Sequence, residues 1–226
     1  MFSRIKNLIL QPRSGIVALG AVAALSFPVV ASAAPATVTY KNSASASAQR
    51  DGRNVFVLKY QSEQTAASAL NANNQAVASA SNCHNCDASS IAFQVIFVSK
   101  SSALTINANN QANATSTSCV KCQTLAAAYQ IIYAAEQPRL SRYQLQGLEH
   151  VHTELILLQF TGLTGAGLQA RTDSIANEAV GILNNGPNPI PIVTPAVNNN
   201  SDRAAQFTQN NGPFIDLLVK SQHQGG

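Results

Sequence analysis

Residues 71–99, NANNQAVASASNCHNCDASSIAFQVIFVS, recur 36 positions later as NANNQANATSTSCVKCQTLAAAYQIIYAA over 107–135. About twelve of the 29 aligned positions are identical, and the aromatic pairs Phe93/Tyr129 and Phe97/Tyr133 agree in type. A unit written twice must find one conformation that serves twice, so every element proposed for one copy is tested against the other. In each copy small residues alternate ahead of a CxxC (Ala76, Ala78, Ala80; Ala112, Ala114, Ser116). Apolar residues alternate after it (Ile91, Phe93, Val95, Phe97; Ala127, Tyr129, Ile131, Tyr133). Period two on both sides of a short polar break predicts a β-hairpin, in which small side chains of one strand leave room for large ones of its partner. Gln94 and Gln130 then fall on the opposite face, where an amide meets water or a neighbour.

A third, degenerate copy occupies 42–61, NSASASAQRDGRNVFVLKYQ. Its polar break holds Asp51-Gly52, a dipeptide that supplies the positive φ angles of a tight turn, where the other copies hold CxxC. A position that exchanges a cysteine pair for a turn dipeptide is a bend first and a reactive centre second.

Cys83, Cys86, Cys119 and Cys122 are the four cysteines of the chain. The first 33 residues carry Arg4, Lys6 and Arg13, an apolar run interrupted by Pro28, and Ala31-Ser32-Ala33, the pattern of a cleaved export signal. The expected location is therefore secreted, or at least outside the cytoplasmic membrane, with no membrane span once the signal is removed. In that compartment four cysteines favour two disulfides, Cys83 with Cys86 and Cys119 with Cys122, each closing its own turn; pairings between turns remain open. So short a loop contributes less than the ~3 kcal/mol of a fifteen-residue loop. Two other chemistries compete. A thiol-redox site needs a thiolate activated at a helix N-terminus, and these motifs lie between strand patterns. A zinc site could use the same four cysteines, because C-x2-C, 32 residues, C-x2-C falls within the looser zinc-ribbon spacings. His84 and Asp87 could add ligands in one copy, but the other has Val120 and Gln123 there.

Charge narrows the partners. Removing the signal lowers the net charge from +4 to +1, and no cluster of Lys or Arg survives, nor is there any Trp. Nucleic acid is therefore not an expected partner, and no cofactor is expected.

Past Pro138 the period changes. Ser141 with Gln144 makes a capping box and Leu140 with Leu145 a hydrophobic staple, so a helix is predicted there, with Leu145, Leu148, His152, Leu155 and Leu158 or Gln159 on one stripe. Thr164 caps a second helix carrying Leu168, Ile175 and Ile182 until Asn184-Asn185-Gly186, and the short link implies an αα-hairpin. His150 and His152 diverge by about 200° on a helix and cannot share one ion, so His150 with Glu154 is read as a surface pair. The Asn/Pro-rich residues 186–226 read as a flexible tail, with Phe214 to Val219 as a group able to dock. Asn113 and Asn199 open glycosylation sequons.

The CxxC segment with its AFQ and AYQ continuations, together with GLTGAGLQARTDSIANEAVGIL, resembles a group of exported actinobacterial-type proteins with repeated CxxC segments. Some of that group carry a peptide zinc metalloprotease label. The resemblance spans roughly residues 42–184 and implies architecture; with no HExxH in this chain, it carries over no site residue.

The expected molecule is α+β: a signal over 1–33, a linker over 34–41, an antiparallel sheet of about three repeated β-hairpins over 42–136, an αα-hairpin packed on it over 137–185, and the tail. It is expected to be a non-enzymatic structural or interaction protein that binds a protein or cell-wall partner. The alternatives are the thiol-redox or four-cysteine zinc protein, or an accessory to peptide export or maturation.

Overall fold

The computed structural model describes residues 37–185, 192, 193, 202–208 and 214–225. The expected export signal, about half of the Asn/Pro-rich segment and the Asn199 sequon lie outside the described residues. The fold is α+β, a mixed and mostly parallel sheet with two helices packed together against it.

Four strands carry the repeat: β1 (Val38–Ala48), β2 (Asn54–Ser81), β3 (Asp87–Thr117) and β4 (Gln123–Ala135). All three pairings among them are parallel, which corrects the expected antiparallel hairpins. The chain does reverse at each polar break, but the two flanking strands do not hydrogen-bond to each other. Each pairs with its own counterpart in the next copy: Asn71 lies beside Asn107, Phe93 beside Tyr129, and Asn42 beside Asn74. Period two is the same for both arrangements, so alternation alone does not tell a hairpin from a coil of stacked arcs. The 36-residue identity decides it, because in-register stacking sets like residues side by side, where amides and aromatics reinforce one another.

The result is two facing layers wound from one chain. Ala44, Ala46, Ala48, Ala76, Ala78, Ala80, Ala112 and Ala114 face Ala88, Ala92, Ala126 and Ala128 of the other layer. Small residues thus meet small residues and the layers approach closely. The large residues expected to fill the space opposite those alanines point the other way. Ile91, Phe93, Val95, Phe97, Tyr129 and Ile131 form a second core with the helices. A third cluster, including Leu70, Ile96, Val98, Leu104, Ile106 and Ile132, lies between the layers at the opposite end from the cysteine turns.

Helix α1 (Arg142–Leu157) starts at the expected cap: the Ser141 side chain accepts from the Gln144 amide, and Gln144 Oε1 accepts from Ser141 N–H. Leu148, Leu155 and Leu158 of the expected stripe are buried, but Gln144 and Val151 take the inward places expected for Leu145 and His152. Gln144 turns inward because its Nε2 donates to the Leu183 carbonyl at 2.8 Å, tying α1 to the end of α2 (Gly165–Asn184). His152 instead stacks on Tyr60, with ring centroids 4.3 Å apart, and burial lowers its pKa. Leu168, Ile175 and Ile182 are buried along α2 as expected.

The helices meet closely at Gly147, where an added Cβ would lie 2.8 Å from Ile182 Cγ2. Alanine would gain about 1 kcal/mol of helix propensity, but forcing a methyl group onto a buried isoleucine costs about 1–3 kcal/mol. Gly147→Ala should therefore lower stability by about 1 kcal/mol, read as a lower urea midpoint at unchanged slope.

The C-terminal segment is not a free tail over its whole length. Strand β7 (Phe214–Gly225) pairs antiparallel with β4 and buries Ile215, Leu217 and Leu218. The alternation Ile215-Asp216-Leu217 is too brief to stand out within an Asn-rich sequence, and the edge of β4 supplies the missing partner. Strands β5 (Ile192–Val193) and β6 (Asp202–Thr208) add short pairings to β7 and β3.

Candidate functional site

The three polar breaks stack into a column of five-residue turns, 49–53, 82–86 and 118–122. Asn85 N–H donates to the Val120 carbonyl, Val120 N–H to that of Cys83, and Gln123 N–H to that of Cys86. Gly52 N–H donates to the His84 carbonyl, and Asp87 N–H to that of Arg53. This register sets Cys83 and Cys119 in one file, and Arg53, Cys86 and Cys122 in another. Gly52, Asn85 and Lys121 share a third and all have positive φ, at 66°, 50° and 56°. The Asp51-Gly52 turn therefore shares that third-file bend with the cysteine turns, but it lacks their opening positive-φ residue, Asn82 or Ser118, and is one residue shorter between the paired strands. Asp51 Oδ1 also accepts the His84 amide at 2.7 Å, so the first turn ties into the second.

Within the column the four sulfurs converge, each within 4.8 Å of the others. Cys83 and Cys86 form a disulfide with Cα atoms 6.2 Å apart. Cys119 and Cys122 are thiols, although a bridge was expected there as well. Between turns, Cys86 Sγ lies 3.1 Å from Cys122 Sγ and 3.7 Å from Cys119 Sγ, and Cys83 Sγ lies 3.6 Å from Cys119 Sγ and 4.0 Å from Cys122 Sγ. Cys83, Cys86 and Cys122 are buried and Cys119 partly so. Burial pushes the Cys122 thiol pKa up, with the neighbouring Cys119 adding to the effect. A thiol held in its protonated form is a poor nucleophile. His84 is exposed and meets Asp51 rather than the sulfurs.

Two rows of amides run between the layers, and neither was assigned a role from the sequence. Asn42 Nδ2 donates to Asn74 Oδ1 at 2.9 Å, and Asn74 Nδ2 to Asn110 Oδ1 at 2.8 Å. These asparagines also donate across the interior, Asn74 to the carbonyls of Ala92 and Tyr129, and Asn110 to those of Ala128 and Leu218. A glutamine row runs in the opposite sense: Gln130 Nε2 donates to Gln94 Oε1, and Gln94 Nε2 to Gln61 Oε1, each at 2.7 Å. Gln94 and Gln130 thus meet neighbours in a buried interior rather than water. The signal was present in the sequence: one Asn and one Gln recur at matching, inward positions of all three copies.

The asparagine row ends unfinished. Asn42 is buried, and its Oδ1 has no hydrogen-bond partner. Among the described residues, β1 pairs only with β2 and no strand lies on its other edge. At the far end β7 closes the stack, with Gln222 and Gln224 side chains accepting the amides of Ala114 and Ser116.

His150 lies 3.8 Å from Glu154 and 4.0 Å from Glu178 on the exposed helix surface, the surface pair expected for His150, and Arg171 takes Glu154 at 2.7 Å. Comparison with known proteins yields no matching family, no matching curated protein and no matching solved structure.

Proposed function

We propose that this chain is an exported, non-enzymatic structural or interaction protein whose repeat stack accepts a further parallel strand from a partner protein at the open edge of β1. The observation that carries this reading is the buried Asn42 Oδ1, unpartnered among the described residues, at the end of the asparagine row on a strand that pairs on one side only among those residues. An open strand edge is a template for another chain. The unfinished row adds a chemical preference: the incoming strand should present an asparagine whose Nδ2 donates to Asn42 Oδ1, as Asn42 itself does to Asn74. The cysteine turns serve the scaffold. Their burial keeps a macromolecular redox partner from reaching Cys83, Cys86 or Cys122, and a turn stacks on them without cysteine at Asp51-Gly52, where Gly52 shares the positive φ of Asn85 and Lys121.

A labelled peptide of residues 70–80, LNANNQAVASA, is the natural probe, because this sequence already flanks β1 on its paired side. It should bind the full chain saturably in fluorescence anisotropy. The peptide with leucine in place of Asn74 should bind about tenfold more weakly, the effect of leaving one buried acceptor unpaired. Absence of saturable binding, equal binding by both peptides, or binding only to cell-wall polysaccharide would overturn the reading.

A further inference from the structure

We propose that the four cysteines form a redox-gated site for one tetrahedral soft cation of the zinc class, which Cys83, Cys86, Cys119 and Cys122 ligate together once the Cys83–Cys86 bridge is reduced. This inference is independent of the strand-accepting edge.

The argument begins with distances. Zinc–thiolate bonds of about 2.3 Å place the sulfurs of a tetrahedral site about 3.8 Å apart. Three of the four separations between turns, 3.6, 3.7 and 4.0 Å, already match that edge, and the fourth is 3.1 Å. The bonded pair is far from it, and reduction removes that constraint. The file register supplies the reason for the convergence: stacking two identical turns sets two CxxC pairs face to face on rigid backbone, so little ordering remains for the ion to impose.

The surroundings suit a structural ion. Four thiolates about a divalent cation leave a net charge of −2, which is costly to bury alone. Arg53 occupies the file of Cys86 and Cys122 one rung away, and Lys121 sits within the second cysteine turn. Closed thiolate sites favour zinc over calcium or magnesium, which require oxygen ligands.

The chemistry balances. A dithiol reductant delivers two electrons and two protons to the Cys83–Cys86 bridge, giving two thiols while the reductant becomes a cyclic disulfide. The cation then displaces one proton from each of the four thiols. A low-molecular-weight disulfide runs it the other way: it takes two electrons from the Cys83 and Cys86 thiolates and two protons from solvent to become two thiols, the bridge re-forms, at most two thiolates remain, and the ion is released. Bridge and ion are therefore alternative occupants of one site.

Cobalt(II) reports such a site through the visible bands of tetrahedral thiolate coordination. The full chain, reduced with a dithiol and desalted without oxygen, should take up one cobalt per chain with those bands, and one equivalent of zinc should bleach them. The unreduced chain should show none. Cys119→Ser combined with Cys122→Ser should abolish the spectrum. Should that variant not fold, alkylation of the reduced wild-type chain gives a second reading: zinc should slow modification of all four cysteines at least tenfold. A reduced, folded chain with neither bands nor protection, a serine variant that keeps the bands, or an unreduced chain that binds cobalt equally would each overturn the proposal. Counting thiols before reduction tests the stapling role separately.

Discussion

Replacing Asn74 by leucine is expected to lower the unfolding free energy by about 4 kcal/mol, a large part of the total stability of a domain this size. Asn74 is fully buried at the centre of the asparagine row. It accepts one hydrogen bond from Asn42 and donates to Asn110 and to two carbonyls of the opposite layer. Leucine returns apolar burial but removes the bond that Asn74 gives Asn110 and the acceptor that Asn42 Nδ2 uses, and leaves the two carbonyls with one partner fewer. Each buried group left unpaired costs about 1–3 kcal/mol. Asn73, the adjacent residue, points outward and is exposed. The same change there should shift stability by no more than about 0.5 kcal/mol. Urea denaturation of the two variants checks the contrast, and equal effects would mean that the row does not hold the layers together.

Phe93→Ala should be comparably damaging, at about 4 kcal/mol, for a different reason. Phe93 has no exposed surface, and its ring lies 6.0 Å from that of Tyr60 and 5.7 Å from that of Tyr129. Truncating a buried phenylalanine costs about 3–5 kcal/mol through lost transfer energy and the cavity left behind, and each aromatic pair adds about 0.5–1.5 kcal/mol. This row joins the sheet to the helices, since Tyr60 stacks on His152 and the Tyr129 hydroxyl donates to Asp173 at 2.6 Å. Near-ultraviolet circular dichroism should therefore weaken together with stability. Thermal melting followed at both near- and far-ultraviolet wavelengths would show whether the helices detach before the sheet opens.

The sequence made the three copies, their turns, the two alternating faces of each strand and the first helix cap visible, because each leaves a local mark: an offset of 36, an Asp-Gly, an alternation, a Ser141–Gln144 pair; which face meets the other layer was not among them. Strand direction leaves no such mark. Ala76 followed by Cys83 and then Phe93 has the same pattern whether residues 87–99 fold against 69–81 through backbone hydrogen bonds or across a core. The stronger clue was the pairing of like with like, Asn71 with Asn107 and Gln94 with Gln130, which suits parallel stacking. For Gln94 the sequence left water or a neighbour open, and the stacking direction decides for the neighbours Gln61 and Gln130. Strand β7 was hidden because what orders it is the edge of β4, far away in sequence. The cysteine turns were recognisable as bends, whereas the convergence of their sulfurs depends on the stacking direction.

Strand β7 also has a temporal meaning. It covers β4 only after residues 136–213 have been made, so the aliphatic and aromatic row from Leu125 to Tyr133 waits beside a bare rim during synthesis. A nascent or prematurely terminated chain lacking Phe214–Gly225 would carry raw rims on both sides of its coil. Such a molecule is the form of this protein most prone to clump with its own kind.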